Sequence, residues 1–405
     1  MKPAEVLSLV RPRPPQLPTT ATALAHCITI EDVRALAARR WPREVRDYVE
    51  GGAEGEATLG RNTAAYGEYD LVPKTLRDVT HVDTSATLLG CAAALPVALA
   101  PTGYTRMMHG DGESAVARAA ADAGLPYTLS TMATTRIEDV AAASPGDLWF
   151  QLYVWKDRGL VRELVRRAEE SGYRSLMVTV DTPVSGLRAR DTRNGFTVPP
   201  QLTFRSLAGM ARHPAWCARL LGGPPITFAN IDGARGETPS SVMELGLKQF
   251  DSSVTWDDLA TIRQWWPGTL TVKGVLSEAD VRRAVDVGAD GAVLSNHGGR
   301  QLDRAVAPID VLQPVREAVG DRVEVYVDSG IRHGSDAALA IALGADGVLL
   351  GRPYLYGLGA GGQAGVTRVL EILGDELRRT MQLLGVTSVP QLRREGRSVV
   401  RRRDS

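Results

Sequence analysis

Lysine is scarce in this chain: 47 residues are basic, and only Lys2, Lys74, Lys156, Lys248 and Lys273 are lysine. A lysine inside an apolar run therefore stands out, and Lys273 is in one. Cysteine is scarcer, with Cys27, Cys91 and Cys217 too few and too scattered for a disulfide framework or a structural zinc site. No metal site is expected, and a reducing cytoplasm is the simplest compartment. Aromatic residues make up 5%, but hydrophobic residues reach 44% and charged residues 23%. That balance excludes wholesale disorder and collagen-like repetition. Neither sign of charge is in excess, since 47 acidic residues match the 47 basic ones. That balance argues against a general polyanion binder, leaving room only for a local basic patch, and no nucleic-acid partner is expected. Long apolar runs are missing too. The longest, Cys91 to Ala100, contains Pro96 and is too short to span a bilayer. The first residues lack the apolar core of a signal peptide. No transmembrane helix is expected; peripheral contact with the inner face of the cell membrane stays open.

What is present is a rhythm. The 405 residues suit two or three average domains, or one large barrel. Residues 1–22, rich in Pro and Thr, read as a flexible lead-in. Thr29 is placed to cap a helix with Glu31 and Asp32 in its first turn, and a second helix covers Glu44 to Glu50, stopping at Gly51-Gly52. Eight short apolar runs then alternate with helical patterns: Val97–Ala100, Tyr127–Ser130, Trp149–Tyr153, Leu176–Thr179, Leu270–Lys273, Gly291–Ser295, Val323–Asp328 and Gly347–Gly351. Continuous apolar runs mark parallel strands buried on both faces. Eight strand-then-helix units predict an α/β fold, a closed (β/α)8 TIM barrel, as one domain over residues 23–390. The competing open sheet lacks a GxGxxG after its first strand. One long insertion, about 184–268, follows the fourth run. Its Trp216, Leu220, Leu221 and arginines suit a lid packed on the barrel or a membrane-surface contact. Residues 391–405 read as a basic tail, either solvated or touching an anionic membrane.

In such barrels the chemistry sits at the carboxyl ends of the strands. Read there, the runs deliver Pro101-Thr102-Gly103, Ser130, Gln151 and Tyr153, Thr179 with Asp181 beyond, Lys273, then Ser295 to Arg300, Asp328 to Arg332, and Gly351-Arg352. A structural core would not collect polar groups at one end, because each costs free energy unless partnered. Gly330 and Gly351 permit close backbone approach, and Arg332 and Arg352 supply cationic forks where such barrels usually bind phosphate; ordinary barrel turns are the alternative. His297 is a candidate base, with Asp181 to orient it. Lys273 faces an anion, or is paired with a carboxylate such as Asp328.

These residues resemble a known family. Ser295-Asn296-His297-Gly298-Gly299-Arg300-Gln301-Leu302-Asp303 is similar to the signature of the FMN-dependent 2-hydroxy acid dehydrogenases and oxidases, the group of glycolate oxidase and flavocytochrome b2. Asp47-Tyr48, Phe150 to Tyr153, Thr179 to Pro183 and Val272-Lys273-Gly274 extend the likeness over nearly the whole chain. Asp328-Ser329-Gly330, with Ser where many oxidases have Gly, and Phe250 to Trp256 resemble the bacterial quinone-linked L-lactate dehydrogenases. The resemblance implies FMN bound by Pro101, Thr102, Gly103, Ser130, Gln151, Thr179, Lys273, Ser295, Asp328, Gly330, Arg332, Gly351 and Arg352. It implies a substrate carboxylate held by Tyr48, Arg188 and Arg300, and a substrate hydroxyl met by Tyr153. His297, paired with Asp181, would remove the proton. The activity implied is oxidation of an L-2-hydroxy acid, L-lactate first, with electrons passed to a quinone. Oxygen as acceptor, a mandelate-type substrate, or a non-redox flavin isomerase are the alternatives. Gly103, Met132 and Ser185 would shape the pocket, and a homo-oligomer is expected.

Overall fold

All eight apolar runs form strands: β1 (Val97–Leu99), β2 (Tyr127–Ser130), β3 (Leu148–Tyr153), β4 (Ser175–Thr179), β5 (Thr269–Val275), β6 (Gly291–Leu294), β7 (Glu324–Val327) and β8 (Gly347–Leu350). Each pairs in parallel with the next, and β8 pairs with β1, so the sheet closes into a barrel. The computed structural model describes residues 19–194, 204–231 and 248–403. Nearly every strand residue is buried, because helices cover the outside and side chains fill the inside. Those helices include Gly112–Asp122, Arg158–Glu170, Glu278–Asp286 and Gly334–Ala342.

Ahead of the barrel, Thr29 caps the helix Ile30–Arg40. Its hydroxyl accepts the Asp32 N–H at 3.1 Å, and the Asp32 carboxylate accepts the Thr29 N–H at 2.9 Å. This helix packs on the long helical stretch Arg352–Leu384, which is kinked at Gly361-Gly362. The helix Arg43–Glu50 ends at Gly51, as the glycine pair predicts. The lead-in is shorter than the composition suggests. Thr20–Ala25 is already helical, capped by Thr19, and residues 1–18 lie outside the described residues.

The described parts of the insertion carry the helices Ala189–Arg193, Phe204–Met210 and Pro214–Gly222. Trp216 is buried, its indole N–H donating to the Met107 carbonyl at 2.9 Å. Arg106 donates to the Pro224 carbonyl at 2.6 Å. These contacts lay this part of the insertion on the barrel. Leu221 alone of the three apolar residues noted there is strongly exposed, at 83%. Pro199-Pro200 lies outside the described residues.

The basic tail is a correction. Residues Val389–Val399 form a helix, and Val400–Arg402 pairs antiparallel with Tyr69–Leu71. Leu392, Val399 and Val400 are buried, an apolar stripe that the surrounding arginines conceal in the sequence. Most of those arginines are matched within the chain: Arg393 with Asp346 and Asp321, Arg397 with Glu317, Arg402 with Glu68, Arg403 with Asp70. Among the described residues, no helix is long and apolar enough to cross a membrane.

Candidate active site

Register decides which side chains meet. Tyr153 on β3 lies opposite Thr179 on β4, which lies opposite Lys273 on β5. Two residues earlier, Gln151 on β3 lies opposite Ser130 on β2. Side chains two apart on a strand share a face. The register therefore gathers five polar residues at one end of the barrel.

That end opens into a cavity at the barrel mouth. Tyr48, Pro101, Thr102, Gly103, Ser130, Tyr153, Arg188, Lys273, His297, Arg300, Asp328, Gly330, Arg332, Gly351 and Arg352 all line it. Met132 and Ser185 line it too. Gln151, Thr179, Asp181 and Ser295 stand just behind that lining, bonded to it or beside it in the sheet.

The His297 ring is held by Asp181, Nδ1 to Oδ1 at 2.9 Å. Burial raises the proton affinity of Asp181, but the His297 ring and Lys273 outweigh it and hold the carboxyl below its usual range. Asp181 fits because the backbone opposite makes room. β5 bulges between Lys273 and Val275, and Gly274 there has φ 107°. A Cβ on Gly274 would stand 2.6 Å from the Asp181 Cβ, so only glycine is tolerated.

Arg188 and Arg300 flank the Tyr48 ring, their guanidinium carbons 5.7 and 4.9 Å from its centroid. Arg300 also donates to the carbonyls of Tyr48 and Gly51 at 2.7 and 3.0 Å. Burial, and then Arg188, lower its proton affinity. Arg352 donates to the carbonyls of Val49, Gly51 and Gly298. Burial and Arg300 push its pKa down to about 9. Among the described residues Arg300, Arg332 and Arg352 form no salt bridge. Three unpaired cations facing one cavity require anions there.

Lys273 answers both expectations at once. Its Nζ lies 3.0 Å from Asp328 Oδ2 and donates to Ser295 Oγ at 2.9 Å. Burial disfavours its charge, but Asp328 and Asp181 more than restore it, so the ammonium is held firmly. The FMN implied by the sequence fits these groups. Gln151 accepts from Ser130 Oγ at 3.0 Å, yet its buried amide nitrogen has no partner. A buried donor of that kind calls for an acceptor from a ligand. A cationic lysine and a pair of arginines suit a ring that gains negative charge and a phosphate.

Sequence reasoning missed the parts played by six residues. Tyr104 and Phe250 line the cavity, and Tyr104 packs against Phe228 with ring centroids 4.9 Å apart. Phe228 lies midway along the insertion and Phe250 toward its end, with no local signal for their return. Gln301 donates to the Asp181 and Val184 carbonyls at 2.9 and 2.8 Å, tying the β4 loop to the β6 loop. Asn62 and Asn296 exchange amide hydrogen bonds at 2.8 and 2.6 Å. Gln301 and Asn296 both sit inside the quoted signature, which was the available cue.

Comparison with known proteins follows the same lines. A family described as FMN-dependent dehydrogenase matches residues 37–399. An L-lactate dehydrogenase of Caulobacter vibrioides is 44% identical over 364 residues, covering 89% of this chain and 95% of that one. The crystal structure of a monotopic membrane protein, (S)-mandelate dehydrogenase, superposes with a TM-score of 0.90 at 38% identity, covering 93% of this chain and all of that one. A mandelate oxidase variant with (S)-mandelic acid gives a TM-score of 0.79 at 40% identity, covering 91% and 97%.

Proposed function

The chain belongs to the FMN-dependent dehydrogenase family, and from that membership we propose that it oxidises an L-2-hydroxy acid, L-lactate first, to the 2-oxo acid and delivers the electrons to a quinone. The observation that carries the reading is the His297–Asp181 pair, 2.9 Å apart, beside Arg300, which has no carboxylate partner among the described residues, and Arg188, which Asp191 meets at 3.1 Å. A hydroxy acid brings a carboxylate for Arg188, Arg300 and Tyr48, and a hydroxyl for Tyr153 and His297. Asp181 keeps a proton on His297 Nδ1, which leaves Nε2 to accept one from the substrate. FMN, when bound, takes the two electrons. Lys273 would balance charge that the cofactor gains, and Gln151, Ser130 and Thr179 would hold its ring edge. Arg332 would hold its phosphate with the backbone at Gly330 and Gly351, and with the N–H groups of Arg352 that carbonyls do not occupy. Ser295 would act from behind, through Lys273.

A mandelate-type substrate is the second reading. Tyr104, Phe228, Phe250 and Met132 put aromatic and pliable surface around the cavity, and two solved relatives are mandelate enzymes. Peripheral membrane contact, in keeping with a quinone acceptor, is supported by the exposed Leu221 and by the monotopic relative. The chain is also proposed to work as a homo-oligomer.

The test is the visible spectrum of the FMN-loaded protein, taken anaerobically before and after L-lactate. Bleaching of the flavin band is expected, with slow return in air and fast return with a quinone. No bleaching by lactate, with bleaching by mandelate, would move the substrate to the aromatic class. No bleaching by either would overturn the reading.

A further inference from the structure

The β6 loop is wound left-handed for three residues running. His297, Gly298 and Gly299 have φ of 59°, 67° and 75°. Histidine there costs about 1–2 kcal/mol, so something must hold the turn. Each of its N–H groups donates to a side chain at 3.0 Å: His297 to Ser295 Oγ, Gly298 to Ser329 Oγ, Gly299 to Asn296 Oδ1. Ser295 and Asn296 belong to the loop itself. Ser329 comes from the end of β7.

Ser329 is itself out of place for its type. Its φ is 70°, a conformation glycine would adopt without cost. The hydroxyl is what glycine could not supply. It donates to Asp328 Oδ1 at 2.6 Å, and Asp328 Oδ2 meets Lys273 Nζ at 3.0 Å. Lys273 donates in turn to Ser295 Oγ at 2.9 Å, the oxygen that accepts the His297 N–H. The ring closes from Lys273 through Asp328, Ser329, the loop backbone and Ser295. With its proton committed to Asp328, the Ser329 oxygen turns a lone pair to Gly298.

We propose that Ser329 is a positioning residue, whose hydroxyl is oriented by the Lys273–Asp328 pair and fixes the left-handed turn that carries His297. The proposal rests on the reading of His297 as the base. It ties the group placed beside the cofactor to the group that takes the proton. A shift in either loop then moves the imidazole relative to the substrate.

The experiment compares Ser329→Gly, Ser329→Ala and His297→Gln in the full chain. Without FMN or substrate, hydrogen–deuterium exchange of peptides spanning residues 297–299 should quicken in both Ser329 variants, and FMN uptake should stay normal. With FMN bound, the rate of flavin bleaching by substrate should fall about 10–100-fold, with KM nearly unchanged. A purely conformational role predicts the opposite, because Ser329→Gly relieves a positive φ and would then be neutral or stabilising. Wild-type bleaching by Ser329→Gly, or unchanged exchange at 297–299, overturns the proposal. If His297→Gln bleaches normally, the base reading itself has failed, a result separable from a normal Ser329→Gly beside an inactive His297→Gln.

Discussion

Asp181 decides what His297 can do. The carboxylate lies 2.9 Å from Nδ1, so the ring keeps its proton there and presents Nε2 as a lone pair. An amide at 181 could turn its NH2 toward the ring and stabilise the wrong tautomer. Asp181→Asn should therefore slow flavin bleaching by the substrate about 10²–10⁴-fold, the usual worth of a positioned general base. FMN content should not change, because Asp181 does not line the cavity. Anaerobic stopped-flow absorbance reads both quantities. A wild-type rate would mean that Asp181 serves the β5 bulge alone and leaves the chemistry to other groups.

At the scale of elements, the C-terminal helix shows how charge and apolar pattern divide the work. Buried Leu392 and Val399 dock it, and Glu395 anchors its outer side. Glu395 accepts from Gln391 at 2.8 Å, Lys74 at 2.9 Å and Arg77 at 2.7 Å. Those bonds, Gln391's first, lower its pKa to about 2. A depressed carboxyl stabilises the fold above its unfolded pKa, near 4.3, and loses that contribution as pH falls toward the folded value. Glu395→Gln should thus lower Tm at pH 7, and the gap to wild type should close as pH drops from about 4.3 toward about 2. Thermal melts across that range give the answer; a gap independent of pH would show that the carboxylate's charge plays no part. The same helix marks a limit of sequence reading. Its arginines dominate the composition, but each apolar position is spaced to fall on one face. The eight barrel strands were legible for the converse reason, since a strand buried on both faces has no polar residues to mask it.

Over the whole molecule, legibility followed sequence distance. The strand ends, the signature at Ser295 to Asp303 and the paired Lys273 and Asp328 all announce themselves locally. Tyr104 meets Phe228, and Tyr153 meets Phe250, only because the insertion returns to the barrel mouth, and Asn62 meets Asn296 only because the N-terminal segment closes over the β6 loop. No local pattern encodes such returns. The closed barrel also gives the cofactor a structural role. Residues proposed to hold it come from the ends of β1, β2, β3, β4, β5, β7 and β8, elements otherwise joined through the sheet. An FMN molecule bound across them would cross-link the mouth, where Arg300, Arg332 and Arg352 form no salt bridge among the described residues. Ligand that binds only the folded state adds stability as the logarithm of its concentration, about 2.7 kcal/mol at a hundred times Kd. Tm of the FMN-free protein should accordingly climb steadily with added FMN, in one cooperative transition, and Arg332→Ala should blunt the climb by weakening the phosphate contact. Calorimetry over a range of FMN concentrations tests both. A Tm indifferent to FMN would mean that the mouth is already fully ordered by protein contacts and that the unmatched arginines serve some other anion.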